Sequence, residues 1–423
     1  MKNIVYSIIN ITISAFFGLI LLCIAFMLPV GPIEKNVKES AIVVQAEGVY
    51  PSLSKYFTSG LDNWTDSIIL LECSDRTNAP LIEKTLSVFH GSIAGNNPQE
   101  TLTSHYVNGM EFTETVTYPR YWHGYLIIVK SLLMAMSYHG IRIVNGVCQF
   151  LLLAVVCYLL LKKGRSSYII PWIIGYLMLM PVALAKCMEF SPCYYIFTTA
   201  TVVLLLLQKE HLERFAPFVF LNTGILLAYF DFLSYPIATF GVPSAIYLTM
   251  SAEKSLKSKM ADMISNGFFW TLGYAGMWAS KWVLASIITG NNVIVDAVNT
   301  INFRTSSVSL DGTLHFGKIA CEALNIKAFL KTPVSVVMIA FLLYMIYRCS
   351  KHGELTRNVI VQTMIPYLTL SLAPIVWYAF ATNHSTIHYW FTNKACVVSV
   401  VAILFGVTEL AGDRLKQKCP DCV

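Results

Sequence analysis

Long apolar runs, broken by short polar loops, dominate the chain. They are Ile4–Val30, Ile141–Leu161, Tyr168–Cys187, Phe190–Leu207, Phe215–Phe230, Leu233–Met250, Ile264–Ile288, Pro333–Tyr347, Thr363–Ala381 and Ala395–Leu410. Most approach the roughly 20 residues that carry a helix across a bilayer. Their apolar residues are continuous rather than alternating, which reads as helix, and helices satisfy their own backbone in lipid. The pattern predicts an all-α polytopic membrane protein with about ten transmembrane helices. Asp231 splits two of the runs, and Pro236 just beyond it marks a turn.

The polar intervals set the organisation. Residues 1–30 form the first helix, and 31–120 read as a small mixed extracytoplasmic domain between helices 1 and 2. Within it Ala41–Ala46 reads as extended and Trp64–Leu71 as helical. From Tyr121 to Tyr138 apolar residues recur at helical spacing around Lys130, which predicts a juxtamembrane amphipathic helix over 121–140. Residues 141–411 form a multi-helix transmembrane domain with an outside segment at 289–330, and 412–423 a cytoplasmic tail. Basic residues fix the orientation: Lys162, Lys163 and Arg165, Lys209 and Arg214, Lys254, Lys257 and Lys259, Arg348, Lys351 and Arg357, and Arg414, Lys416 and Lys418. An inside N-terminus places all of these loops in the cytoplasm, as the positive-inside rule requires. The expected location is the cell membrane, multi-pass, with both termini cytoplasmic.

Composition agrees with lipid as the solvent. Of 423 residues, 56% are hydrophobic and 13% charged, against about a quarter charged in soluble proteins. The net charge of +6 is scattered through short loops, so nucleic acid is not an expected partner. Of the eleven cysteines, Cys23, Cys148, Cys157, Cys193 and Cys396 lie in apolar runs as small core residues. Cys73 and Cys321 fall in outside segments and can pair, and a lone Cys419-x-x-Cys422 is weak evidence for a metal.

Candidate chemistry collects at the outside ends. Asp62 and Asp66 are spaced i, i+4 around Trp64 and face the same way on a helix. Such a pair can divide the roles of base and electrostatic partner, or it can simply cap a solvated helix. Asp231 interrupts an apolar stretch, and Lys281 lies inside one between Trp278 and Trp282, where a cation needs an anionic partner or must snorkel. Arg304 offers a guanidinium fork suited to phosphate. His384 and His388 have metal-ligand spacing, but no HExxH accompanies them, and an interfacial aromatic belt is the plain alternative.

The order of parts resembles the N-terminal half of the GT-C glycosyltransferases, over roughly the first 165 residues. The likeness lies in one helix, a long outside loop with acidic residues, the step Tyr118-Pro119-Arg120-Tyr121-Trp122-His123-Gly124-Tyr125-Leu126, and Ile141-Arg142-Ile143-Val144-Asn145 opening the next span. The resemblance implies sugar transfer from a polyprenyl-phosphate sugar donor to a glycan or lipid-linked acceptor in the cell envelope. It places the catalytic base at Asp62 or Asp66, although in the family the acidic residue follows the first helix more closely. Donor phosphate binding then falls to Lys281, Arg304, His384 and His388, and Trp64, Trp122, His123 and Asp231 line the substrate cavity. No cofactor is required, and a divalent metal is compatible. The rival readings are a transporter or flippase of a lipid-linked or anionic solute, with Asp231 and Lys281 as gating charges, and a polysaccharide polymerase.

Overall fold

A computed structural model describes residues 2–309, 312–351 and 356–418. The Cys419/Cys422 pair and the side chains of Arg414, Lys416 and Lys418 lie outside the described residues. The chain opens with α1 (Lys2–Phe26) and α2 (Val30–Glu47), then α3 (Asn63–Cys73), α4 (Leu81–Ser87), β1 (Phe89–Ser92), α5 (Pro98–Tyr106) and β2 (Glu114–Thr117). The two strands pair antiparallel, Phe89 opposite Thr117. Next come α6 (Tyr125–Leu133), α7 (Tyr138–Lys162), α8 (Ile169–Met178), α9 (Pro181–Lys186), α10 (Ser191–Leu206), α11 (Lys209–Phe230), α12 (Ala238–Met250) and α13 (Leu256–Thr289). The C-terminal part holds α14 (Val293–Thr305), α15 (Lys318–Leu330), α16 (Val334–Lys351), α17 (Arg357–Ser371), α18 (Ala373–Phe380), α19 (Thr382–Ile387), α20 (Tyr389–Thr392) and α21 (Val397–Lys418).

Among the described residues five stretches are long and apolar enough to cross a membrane: Ile4–Phe26, Tyr138–Lys162, Val334–Lys351, Arg357–Phe380 and Tyr389–Gly412. Other apolar runs form shorter or more polar helices. The run Tyr168–Cys187 breaks where Met180 takes a left-handed φ of 57° and Pro181 opens α9, because proline favours the first turn of a new helix. α11 begins on the polar stretch Lys209–Arg214, and α12 has only 13 residues.

Residues 41–46 are helical, not extended. Their β-branched residues favour strand locally, but Ile33, Val37, Ala41 and Val44 repeat at helical spacing and are all fully buried. That packing outweighs propensity. The amphipathic helix expected over 121–140 is only α6, and Lys130 is not on a wet face. It is 1% exposed and donates to the Cys73 carbonyl at 2.7 Å. Cys73 and Cys321 are both free.

The tightest crossing joins α11 to α13. A Cβ on Gly224 would lie 2.1 Å from the Trp270 carbonyl oxygen, and one on Gly273 would lie 2.1 Å from that of Leu221. The two backbones therefore touch, as small residues allow at helix crossings. This contact fixes the middle of α13 against α11, and both α13 and Leu233 in the turn after α11 border the site.

Candidate functional site

Three buried carboxyls meet where α3 abuts the turn between α9 and α10. Asp62 caps α3, accepting from the Thr65 N–H at 2.9 Å, and is 2% exposed. Asp66, one turn on, is fully buried and accepts from the Tyr138 hydroxyl, the Met188 N–H (3.0 Å) and the Glu189 N–H (3.2 Å). It thereby holds the backbone that presents Glu189. The Glu189 side chain is buried close enough to Asp62 for the two carboxyls to act on each other, and its Oε2 has no hydrogen-bond partner. Two adjoining buried carboxyls each disfavour ionisation of the other. The spacing of Asp62 and Asp66 thus brings the two aspartates close but gives them different partners.

The turn carrying Glu189 is tied down from α7. Arg142 pairs with Glu47 (2.6 and 2.8 Å) and donates to the Lys186 carbonyl at 2.8 Å. Asn145 donates to the Ala185 carbonyl (2.9 Å) and to Ser191 Oγ (2.7 Å). The Arg and Asn of the Ile141-to-Asn145 segment are therefore positioning residues for the acidic turn.

Burial raises the pKa of all three carboxyls, that of Asp66 to about 7. The folded state holds these protons more tightly than the unfolded chain, so stability is greatest at low pH and falls as pH rises through the folded pKa. We expect the thermal transition of the detergent-solubilised protein to drop as pH rises from about 4 to about 7, the interval between the ordinary carboxyl value and that of Asp66. A transition that climbs over this interval would contradict the assignment.

A groove of about 520 Å³ opens between α13, α14 and α18. Trp270, Tyr274, Trp278 and Trp282 of α13 form one wall, and Trp377 and Phe380 of α18 another. Its polar end carries Arg120 and Arg304. Arg120 is paired with Asp296 at 2.8 Å. Arg304 Nη1 donates to His388 Nε2 at 2.9 Å, and its Nε has no partner. An arginine only donates, so His388 must accept at Nε2 and is neutral with its proton on Nδ1. Burial, reinforced by the Arg304 charge, pushes its pKa down to about 3. The His388 ring lies 5.3 Å from that of Trp390, whose indole N–H donates to Asp62 at 3.2 Å. One residue, Trp390, therefore links the arginine end of the groove to the carboxyl pair. A second groove of about 450 Å³, between α6, α7, α10 and α11, has no ionised side chain in its wall.

The other expected site residues sit around this core. His384 donates from Nε2 to the Leu233 carbonyl (2.8 Å). Leu233 takes a φ of 71°, and Asp231 fixes that turn by accepting from the Ser234 N–H at 2.9 Å. Trp64 is 37% exposed beside Tyr50. Trp122, His123 and Lys281 belong to a separate, fully packed cluster. Trp122 donates to the Met277 carbonyl at 2.7 Å, His123 bonds Tyr125, which in turn donates to Glu72 at 2.7 Å, and Lys281 donates to the Leu86 carbonyl at 2.7 Å. Lys281 does not line the groove, and of the four residues expected at the donor phosphate only Arg304 does. Glu189 goes unread in the sequence, although it breaks two apolar runs just as Asp231 does. Arg120 is likewise hidden within the Tyr118-to-Leu126 step. Comparison with known protein families, curated proteins and solved structures gives no match.

Proposed function

We propose that the protein is a membrane glycosyltransferase of GT-C type. In this reading the chain crosses the membrane about ten times, each crossing needing roughly 20 residues or fewer where the bilayer is thinned. Both termini are cytoplasmic, and the acidic cluster faces outward. The observation that carries the proposal is the junction at Trp390: a buried carboxyl pair on one side, and an apolar groove ending in an uncompensated arginine on the other. A lipid-linked sugar phosphate has this same division into apolar chain and anionic head. The acceptor hydroxyl would attack the anomeric carbon and pass its proton to the Asp62/Glu189 pair. The bond from the anomeric carbon to the phosphate oxygen breaks, and the polyprenyl phosphate leaves with the electron pair, its charge met by Arg304. Asp66 holds Glu189 in place and touches no substrate.

A transporter with Asp231 and Lys281 as gating charges is less well supported. Asp231 is spent on its own turn and Lys281 on a backbone carbonyl. The test is binding of polyprenyl phosphate to the full chain in lipid nanodiscs, with the uncharged polyprenol as control. Polyprenyl phosphate should bind more tightly, and Arg304→Gln should weaken it about tenfold or more, as for a charge-assisted contact. Equal binding of the two lipids, or indifference to Arg304→Gln, would remove the groove as the donor site.

A further inference from the structure

Over the Asp62/Glu189 pair the fold leaves a group of aromatic rings partly bare. Tyr50 is 53% exposed, and Trp64 is partly exposed beside it. Their rings lie within 4° of parallel with centroids 6.4 Å apart, and the Tyr50 and Trp390 centroids are 5.3 Å apart. Exposed rings are usually mobile, but these are held. Residues 49–63 form a compact loop closed by the Asn63 N–H to Val49 carbonyl bond (3.0 Å) and the Leu61 N–H to Pro51 carbonyl bond (2.8 Å). The buried Lys394 anchors that loop through the Thr58 carbonyl at 2.9 Å. A surface already ordered before binding loses little entropy when a ligand docks.

These rings surround polar atoms rather than an apolar floor. The charges of Asp62 and Glu189 act directly on the Tyr50 hydroxyl and, after burial, help to raise its pKa. Trp390 donates to Asp62, and Glu189 Oε2 is buried with no partner. A pyranose matches both halves of this arrangement. Its C–H face packs on aromatic rings, and its edge hydroxyls donate to carboxylates. A lipid tail matches only the first half.

We infer that Tyr50, Trp64 and Trp390 form a saccharide subsite, so that the acceptor is a glycan whose terminal ring packs on them with one hydroxyl directed at the carboxyl pair. The role as acceptor site rests on the transferase reading; the binding of sugar does not.

The test uses the full chain in detergent and simple methyl glycosides of glucose, galactose, mannose and N-acetylglucosamine as probes, observed by saturation-transfer NMR. At least one glycoside should show transfer to its ring protons. Tyr50→Ala and Trp64→Ala should each weaken it about tenfold, the usual scale for removing an aromatic anchor. Tyr50→Phe should retain most of it, and all three variants should keep the parent thermal transition, because both side chains are substantially exposed. Polyprenyl phosphate binding is measured on the same samples. If no glycoside binds while polyprenyl phosphate still binds through Arg304, the subsite is wrong and the transferase reading survives. If glycosides bind through the rings but polyprenyl phosphate does not bind, the subsite stands and the transferase reading falls. If the alanine variants only lose partitioning into phosphatidylcholine vesicles, the rings are an interfacial belt and the inference is overturned.

Discussion

Glu189→Gln and Asp62→Asn are each expected to abolish sugar transfer from a polyprenyl-phosphate donor while leaving folded protein in the membrane. General-base removal contributes typically 10²–10⁴-fold, and both changes keep side-chain volume. The two should not be additive, because the two carboxyls act as one base: the double variant should be about as inactive as either single one. Asp66→Asn should behave differently. Asp66 accepts two backbone N–H groups at 3.0 and 3.2 Å, and an amide can satisfy them only in part. Its loss should appear as a lowered thermal transition together with lowered activity. The measurement is initial rate against protein recovered by size exclusion. Full activity in both Glu189→Gln and Asp62→Asn would exclude the pair as the base.

The largest structural effect is expected at the helix crossing. Gly224→Ala and Gly273→Ala each place a methyl group 2.1 Å from a carbonyl oxygen of the facing helix. No rotamer relieves that clash, since the obstacle is backbone, so α11 and α13 must move apart. Overpacking by one group ordinarily costs about 1–3 kcal/mol where side chains can shift, and here nothing soft is available. Both variants should lose monodisperse protein or show a strongly lowered thermal transition. Gly267→Ala is the control: its Cβ would meet the Phe240 ring at 3.4 Å, which can tilt away. Parent-like stability of Gly224→Ala would mean that the two backbones do not touch.

The sequence makes the apolar helices legible because burial in lipid needs only length and apolarity, so α1, α7 and α16 can be read from hydropathy alone. It misreads α2, since the burial of Ile33, Val37, Ala41 and Val44 depends on a neighbour that no local pattern reveals. The site is half legible. Asp62 announces itself as a cap next to Trp64, and Arg304 as a cation in an outside segment. Glu189 gains its importance only from Asp66, which seizes its backbone from more than a hundred residues away. Lys281 shows the opposite failure. A lysine in an apolar run suggests a ligand, yet a backbone carbonyl satisfies it, and local sequence cannot distinguish the two.

The ion pair between Arg120 and Asp296 has a consequence for the valence of whatever enters the groove. Of the two arginines in its wall, one is already neutralised and the other faces an uncharged imidazole. The compartment therefore offers a single positive charge. A phosphodiester, with one negative charge, would leave it electroneutral. A pyrophosphate-linked lipid would carry an excess negative charge into a low-dielectric space, where such an excess is heavily penalised. For the proposed donor, the charge balance of the groove thus favours a monophosphate carrier over a diphosphate one.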